Sequence, residues 1–147
     1  MKPVRAAIYA RVSTASGQDV GLQIDELRDV ANQRNYAVSE FVDEGISGAK
    51  GERERPGLER LMSAVRSGKV DVVMVWRFDR FARSTSHLLS ALDEFQTLGV
   101  DFISLRENID TSTSLGRAIF TIVSAVAQLE RDLLIERVRA GVARARA

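Results

Sequence analysis

The chain has 147 residues, 45% hydrophobic and 28% charged, with a formal net charge of +1 and no cysteine, the size and composition of one ordinary globular domain. Disulfides, thiol catalysis and thiolate metal sites are excluded, and a single histidine argues against a histidine-rich metal centre. No apolar run reaches membrane-spanning length and the start lacks a signal-peptide core, so no membrane partner and a cytoplasmic location are expected.

Val4, Ala6, Ala7 and Ile8 form an apolar, β-favouring run that predicts a first buried strand continuing through Tyr9-Ala10-Arg11-Val12-Ser13. Side chains alternate along a strand, so Tyr9, Arg11 and Ser13 share a face, and the Cα atoms of Arg11 and Ser13 should lie roughly 7 Å apart. A polar loop from Thr14 to Asp19 follows. Val20, Ile24, Leu27 and Ala31 then recur at helical spacing, predicting an amphipathic helix to about Asn35. Ala37 to Asp43 reads as a second strand. From Glu44 to Arg55 the chain is crowded with charge and punctuated by Gly45, Gly48 and Gly51, which predicts a mobile loop bearing Arg53 and Arg55.

Pro56 suits the first position of a helix whose stripe is Leu58, Leu61, Met62 and Val65, ending at Gly68. Val70 to Trp76 is a nearly continuous apolar run, as in a parallel strand buried on both faces. Ser84, Thr85 or Ser86 can cap a helix with Leu88, Leu89, Leu92 and Phe95 inward and Gly99 at its end, and Val100 to Leu105 reads as a fourth strand. Strands alternating with helices imply an α/β domain with a small, mainly parallel sheet flanked by helices. From Leu115 to about Ala145, Leu115, Ile119, Ile122, Val126, Leu129 and Leu133 keep helical spacing. Thirty residues make a helix of about 45 Å, longer than such a domain is wide. A core helix with a frayed polar end accounts for its first half. It does not account for Leu134, Ile135 and Val138 among so many arginines, so a helix shared with a second subunit is the preferred reading. The chain therefore divides into a core over 1–114 and a long oligomerisation helix over 115–147.

Arginines gather in two places. Arg77, Arg80 and Arg83 surround Asp79 just after the third strand, and Arg137, Arg139, Arg144 and Arg146 crowd the last residues without an acid among them. The first cluster stands at the C-terminal edge of the sheet, where open α/β folds place their sites, and Ser13 opens onto the same edge. A hydroxyl nucleophile surrounded by guanidinium groups suits phosphoryl transfer, whose transition state spreads negative charge over the phosphoryl oxygens. Competing readings fit less well. No phosphate-binding loop or dinucleotide fingerprint is present, and Gly45 to Ala49 misses the nucleophile elbow at its last position. A serine triad would need His87, which falls inside an amphipathic helix. A metal nuclease using Asp43, Glu44, Asp71 and Asp79 ranks second, because those acids lack paired spacing.

These motifs together resemble the catalytic domain of the serine site-specific recombinases, the resolvases and DNA invertases. The matching pieces are YARVST at Tyr9 to Thr14, Gln18, Leu22-Gln23, Asp43 with Gly45-Ile46-Ser47-Gly48, Arg55-Pro56-Gly57-Leu58, Phe78 to Arg83, Ser124 to Gln128, and Leu134 to Arg137. The resemblance implies Ser13 as nucleophile, an inner cationic set of Arg11, Arg80 and Arg83 completed by Arg55, and supporting roles for Gln23, Asp79 and Arg137. It implies DNA as substrate, a 5′-phosphoserine intermediate, no cofactor or metal, and a homodimer that assembles into a tetramer in the synaptic complex. Arg139, Arg144 and Arg146 would contact DNA phosphates on the way to a separate DNA-binding domain. One departure is visible: the segment between Ser13 and Gln18 is one residue longer than the family spacing. A catalytically silent dimerisation or regulatory module of the same fold is the alternative from another functional class.

Overall fold

The structure, a computed structural model, describes residues 2–13, 17–45 and 55–146, with side chains for all of these except 12, 13, 17–20, 45 and 146. Residues 14–16 of the loop expected from Thr14 to Asp19, the segment 46–54 with Arg53, and the side chains of Ser13, Gln18 and Arg146 lie outside that description.

The elements alternate as the hydrophobic pattern requires: β1 (Arg5–Ser13), α1 (Gly17–Gln33), β2 (Ala37–Gly45), α2 (Pro56–Arg66), β3 (Val72–Val75), α3 (Phe78–Phe81), α4 (Thr85–Thr97), β4 (Asp101–Ser104), β5 (Ile109–Asp110) and α5 (Ser114–Arg146). They form a five-stranded sheet in the order β2-β1-β3-β4-β5. The first four strands are parallel and β5 closes the edge antiparallel to β4. Alternation in β1 and β3 feeds two cores. Ala6, Ile8, Val72 and Met74 meet Leu27 and Ala31 of α1 on one face, while Ala7, Tyr9, Val73 and Val75 meet Leu58, Leu61, Leu92 and Phe95 of α2 and α4 on the other. No described helix is long and apolar enough to cross a membrane.

Several boundaries move for local reasons. α1 begins at Gly17, ahead of its first apolar residue, so the expected polar loop is shorter. The third and fourth strands are trimmed to four residues each, Val72–Val75 and Asp101–Ser104. A single helical turn, α3, occupies the arginine cluster and buries Phe81. The two-residue β5 carries no periodic signal at all. Pro56 is the first residue of α2, and Ser84 caps α4.

α5 runs for 33 residues, about 50 Å at helical rise. Gly116 and Ala127 are buried against the domain, with Ile119, Phe120 and Val123 half-buried beside them. Apart from Ile119, the stripe read from the sequence lies elsewhere. Ile122, Val126, Leu129 and Leu133 are 63%, 51%, 56% and 42% exposed, so even the half of the helix that a core role would have explained leaves that stripe uncovered.

Gly116 is what lets α5 reach the sheet. A Cβ there would stand 1.8 Å from the carbonyl oxygen of Asp110 in β5, far inside van der Waals contact. Gly116→Ala is expected to push α5 away from β5 and to cost about 3 kcal/mol, read as a lower urea midpoint. A midpoint equal to wild type would show that the approach is slack.

Candidate active site

Parallel pairing brings the ends of three strands together. In the β1–β2 register Arg11 faces Asp43 and Ser13 faces Gly45, and β1 pairs on its other side with β3, whose chain runs straight into the arginine-bearing turn α3. The segment carrying Ser13 is therefore flanked by Asp43 on one side and by Arg77 to Arg83 on the other.

Asp43 organises the floor of this edge. It is 4% exposed and its carboxylate accepts three hydrogen bonds: from the Tyr9 hydroxyl at 2.7 Å, the Gly57 N–H at 2.6 Å and the Leu58 N–H at 2.9 Å. It thus satisfies two of the free amides at the start of α2, where negative charge is favoured. The approach is possible because residue 57 is glycine; a Cβ there would sit 2.8 Å from an Asp43 oxygen and 2.9 Å from the Val42 carbonyl.

Tyr9 passes the arrangement on to Arg55. Its hydroxyl donates to Asp43 and accepts from Arg55 Nε at 3.2 Å, and the guanidinium lies over its ring, 5.3 Å from the centroid. Burial, then the hydrogen bond to Asp43, raises the phenol pKa far above its ordinary value, so Tyr9 remains protonated and its donor role is fixed. Arg55 also donates through Nη2 to the Arg80 carbonyl at 2.9 Å. It was expected on a mobile loop. Instead it is 4% exposed and clamped to β1 and α3, because its guanidinium finds Tyr9 and Arg80 far away in sequence. Burial lowers its pKa and the nearby Arg11 charge adds to the effect.

The other arginines stand around this clamp. Arg11 Nη2 reaches the Asp79 carbonyl at 3.4 Å. The Asp79 carboxylate is exposed and pairs with Arg77 at 3.0 Å. Arg83 is exposed, and its backbone N–H donates to His87 Nδ1 at 3.2 Å. Arg55 Nη1 and Arg80 Nε are buried yet have no hydrogen-bond partner among the described residues. A buried cationic donor without an acceptor is costly, and an anion arriving at this edge would relieve both.

Gln23, on α1, is 1% exposed, and its side-chain oxygen likewise has no described partner. Arg137, Arg139 and Arg144 are exposed on the outer half of α5, so the single chain does not bring Arg137 to the cluster. Tyr9 has no assigned role in the sequence reading, although alternation puts it on the face of Arg11; Asp43 enters there as a strand-end acid and as a motif residue, without a role in the site. The carboxylate-nuclease reading finds three of its four acids engaged elsewhere: Asp43 with three donors, Asp71 with Arg5 and Asp79 with Arg77, while Glu44 is exposed. No group of three or more potential metal ligands occurs among the described residues.

The family model described as "Resolvase, N terminal domain" matches residues 6–147. The chain is 42% identical over 138 residues to the transposon Tn917 resolvase of Enterococcus faecalis, covering 94% of this chain and 69% of that protein. It is 43% identical over 141 residues to the transposon Tn552 DNA-invertase BinR of Staphylococcus aureus, covering 95% and 68%. Among solved structures, a resolvase family site-specific recombinase from Streptococcus pneumoniae superposes with a TM-score of 0.78 at 30% identity, over 98% of this chain and 99% of that one.

Proposed function

The chain belongs to the resolvase and DNA-invertase family of serine recombinases, which cleave and rejoin DNA, and from that membership we propose that Ser13 is its nucleophile and Arg11, Arg55, Arg80 and Arg83 its charge-stabilising set. The observation that carries this reading is the pair of buried, unpartnered donors on Arg55 and Arg80 beside the end of β1. In the proposed step the Ser13 oxygen attacks phosphorus, the P–O3′ bond breaks, and the products are a 5′-phosphoserine linkage and a free 3′-hydroxyl. Attack by a 3′-hydroxyl on that linkage rejoins the strand, so the bond energy is conserved. Guanidinium suits the task because it stays charged and presents paired donors to phosphate oxygens.

The two edges of the set have different status within the fold. Arg55 is pre-positioned by Tyr9, whereas Arg80 lies on the short turn α3 and Arg83 on the link that follows it, with the Arg80 carbonyl tied to Arg55 and the Arg83 amide to His87. In the full chain joined to a heterologous DNA-binding domain, Arg80→Ala is expected to slow strand cleavage about a hundredfold or more while leaving DNA binding nearly intact. Arg80→Lys should recover little of the rate, since the planar fork is lost. Wild-type cleavage by Arg80→Ala would move this arginine out of the reacting shell.

We further propose that the segment 115–147, which carries most of α5, is the subunit interface and the route to DNA, with a homodimer as the resting state and a tetramer in synapsis. The uncovered stripe of Ile122, Val126, Leu129 and Leu133 supports this reading. Arg137 would then complete a site from the outer half of the helix, and Arg139, Arg144 and Arg146 would contact phosphates without reading sequence. Ile122→Lys with Val126→Lys is expected to convert the protein to monomer in sedimentation. An unchanged sedimentation coefficient would place the interface elsewhere.

A further inference from the structure

The start of α4 carries a capping box in which an imidazole stands where glutamate or glutamine is usual. Ser84 is the cap, and its hydroxyl accepts the His87 N–H at 3.1 Å. His87 returns the contact one residue further out, its Nδ1 accepting the backbone N–H of Arg83 at 3.2 Å. A ring nitrogen that accepts is unprotonated, so the neutral His87 here carries its proton on Nε2. The ring stacks on buried Phe81, with centroids 6.1 Å apart and planes 12° from parallel. It also lines an open cavity of about 360 Å³ with Arg55, Leu58, Glu59, Arg83 and Ser84.

The charged groups facing this ring are Arg55 and Glu59 from the start of α2 and Arg83 from the link before α4. We propose that His87 is a positioning residue for strand cleavage: neutral, it fixes the main chain that presents Arg83; protonated, it releases that amide and adds a further cation beside Arg55 and Arg83. The proposal rests on the reading of Arg83 as part of the charge-stabilising set. Glutamate or glutamine in the same box cannot switch near neutrality, and histidine can.

The electrostatics agree with the geometry. Burial first, then the charges of Arg55 and Arg83, hold the imidazole below its ordinary 6.5. With the folded value below the unfolded one, the stabilisation from this cap is complete above the unfolded value and is lost as pH falls through the folded one. Cleavage should follow the same course. DNA binding should not weaken with it, because an imidazolium beside two arginines attracts phosphate.

His87 is the only histidine in the chain, so its imidazole signals in an NMR titration need no assignment by mutation. The expected result is an Nε2–H tautomer, a midpoint below 6.5, and an Arg83 amide resonance that moves with the same midpoint. In the full chain joined to a DNA-binding domain, the rate of covalent DNA linkage at saturating DNA should fall on the acid side with that midpoint. In His87→Gln, whose amide oxygen can accept the Arg83 N–H without titrating, this acid limb should vanish. In His87→Ala linkage should be slower at every pH, by roughly five- to tenfold for a lost cap. An Nδ1–H tautomer, a static Arg83 amide, or an acid limb that survives in His87→Gln would overturn the proposal. If no linkage forms at any pH with Ser13 intact, the catalytic reading itself fails and the positioning role with it, while the NMR titration still decides the cap contact on its own.

Discussion

Ser13→Ala is expected to abolish covalent attachment to DNA completely while leaving binding and fold intact. The expectation follows from position and from chemistry. Ser13 closes β1 opposite Gly45, two register steps beyond the Arg11 and Asp43 pair, and Arg55 and Arg80 beside this edge carry cationic donors that lack acceptors among the described residues. Two other hydroxyls near this edge have structural partners. Ser84 accepts from the His87 amide, and Ser104 donates to the Glu107 carboxylate. The loss should be total rather than partial, since the covalent bond is proposed to form through this hydroxyl alone. The measurement is a denaturing gel of labelled DNA after incubation with the fused protein. A retained covalent band in Ser13→Ala would remove this residue from its role.

The second large effect is on stability. Asp43→Ala should cost about 3–5 kcal/mol, because it strips the acceptor from three buried donors at once and leaves Arg55 buried without a nearby counter-charge. The Tyr9 hydroxyl and the amides of Gly57 and Leu58 would all lose their partner. Asp43→Asn keeps one oxygen as acceptor and should fall between the two. Activity is expected to drop with stability, since the Tyr9 hydroxyl that holds Arg55 Nε would no longer be fixed. A urea midpoint for Asp43→Ala close to wild type would mean that the network is ornamental.

The physical basis of what could be read from the sequence is clear in particular elements. β1 and β3 were legible because strands buried on both faces carry unbroken apolar runs, and α2 and α4 because apolar spacing, Pro56 and Ser84 mark their faces and starts. β5 was not, because two residues held by pairing to β4 leave no periodic trace. The contact of α5 with its own domain was not legible for a related reason. Large apolar residues on its stripe face solvent, while the domain is met by Gly116 and Ala127, whose small side chains give close approach but weak hydrophobic signal, beside half-buried Phe120.

The site divides in the same way. Arginine after a buried strand is visible as a motif, and so is a serine following an alternating strand. The burial of Arg55 is not, since the run Glu52-Arg53-Glu54-Arg55 looks solvated until Tyr9 and the Arg80 carbonyl are brought to it by the fold. Asp43 reads as one more strand-end acid. Only the closing of α2 onto β2, permitted by Gly57, turns it into a helix cap and the anchor of Tyr9.

The most direct test of the account is mass spectrometry of the peptide left on DNA after proteolysis of the trapped complex, formed in EDTA. The expected product is the peptide containing Ser13 joined through its hydroxyl to a 5′-phosphate, formed at full rate without added metal because arginine side chains supply the positive charge. Attachment at any other residue, or strand breaks that appear only with added magnesium and carry no peptide, would contradict it.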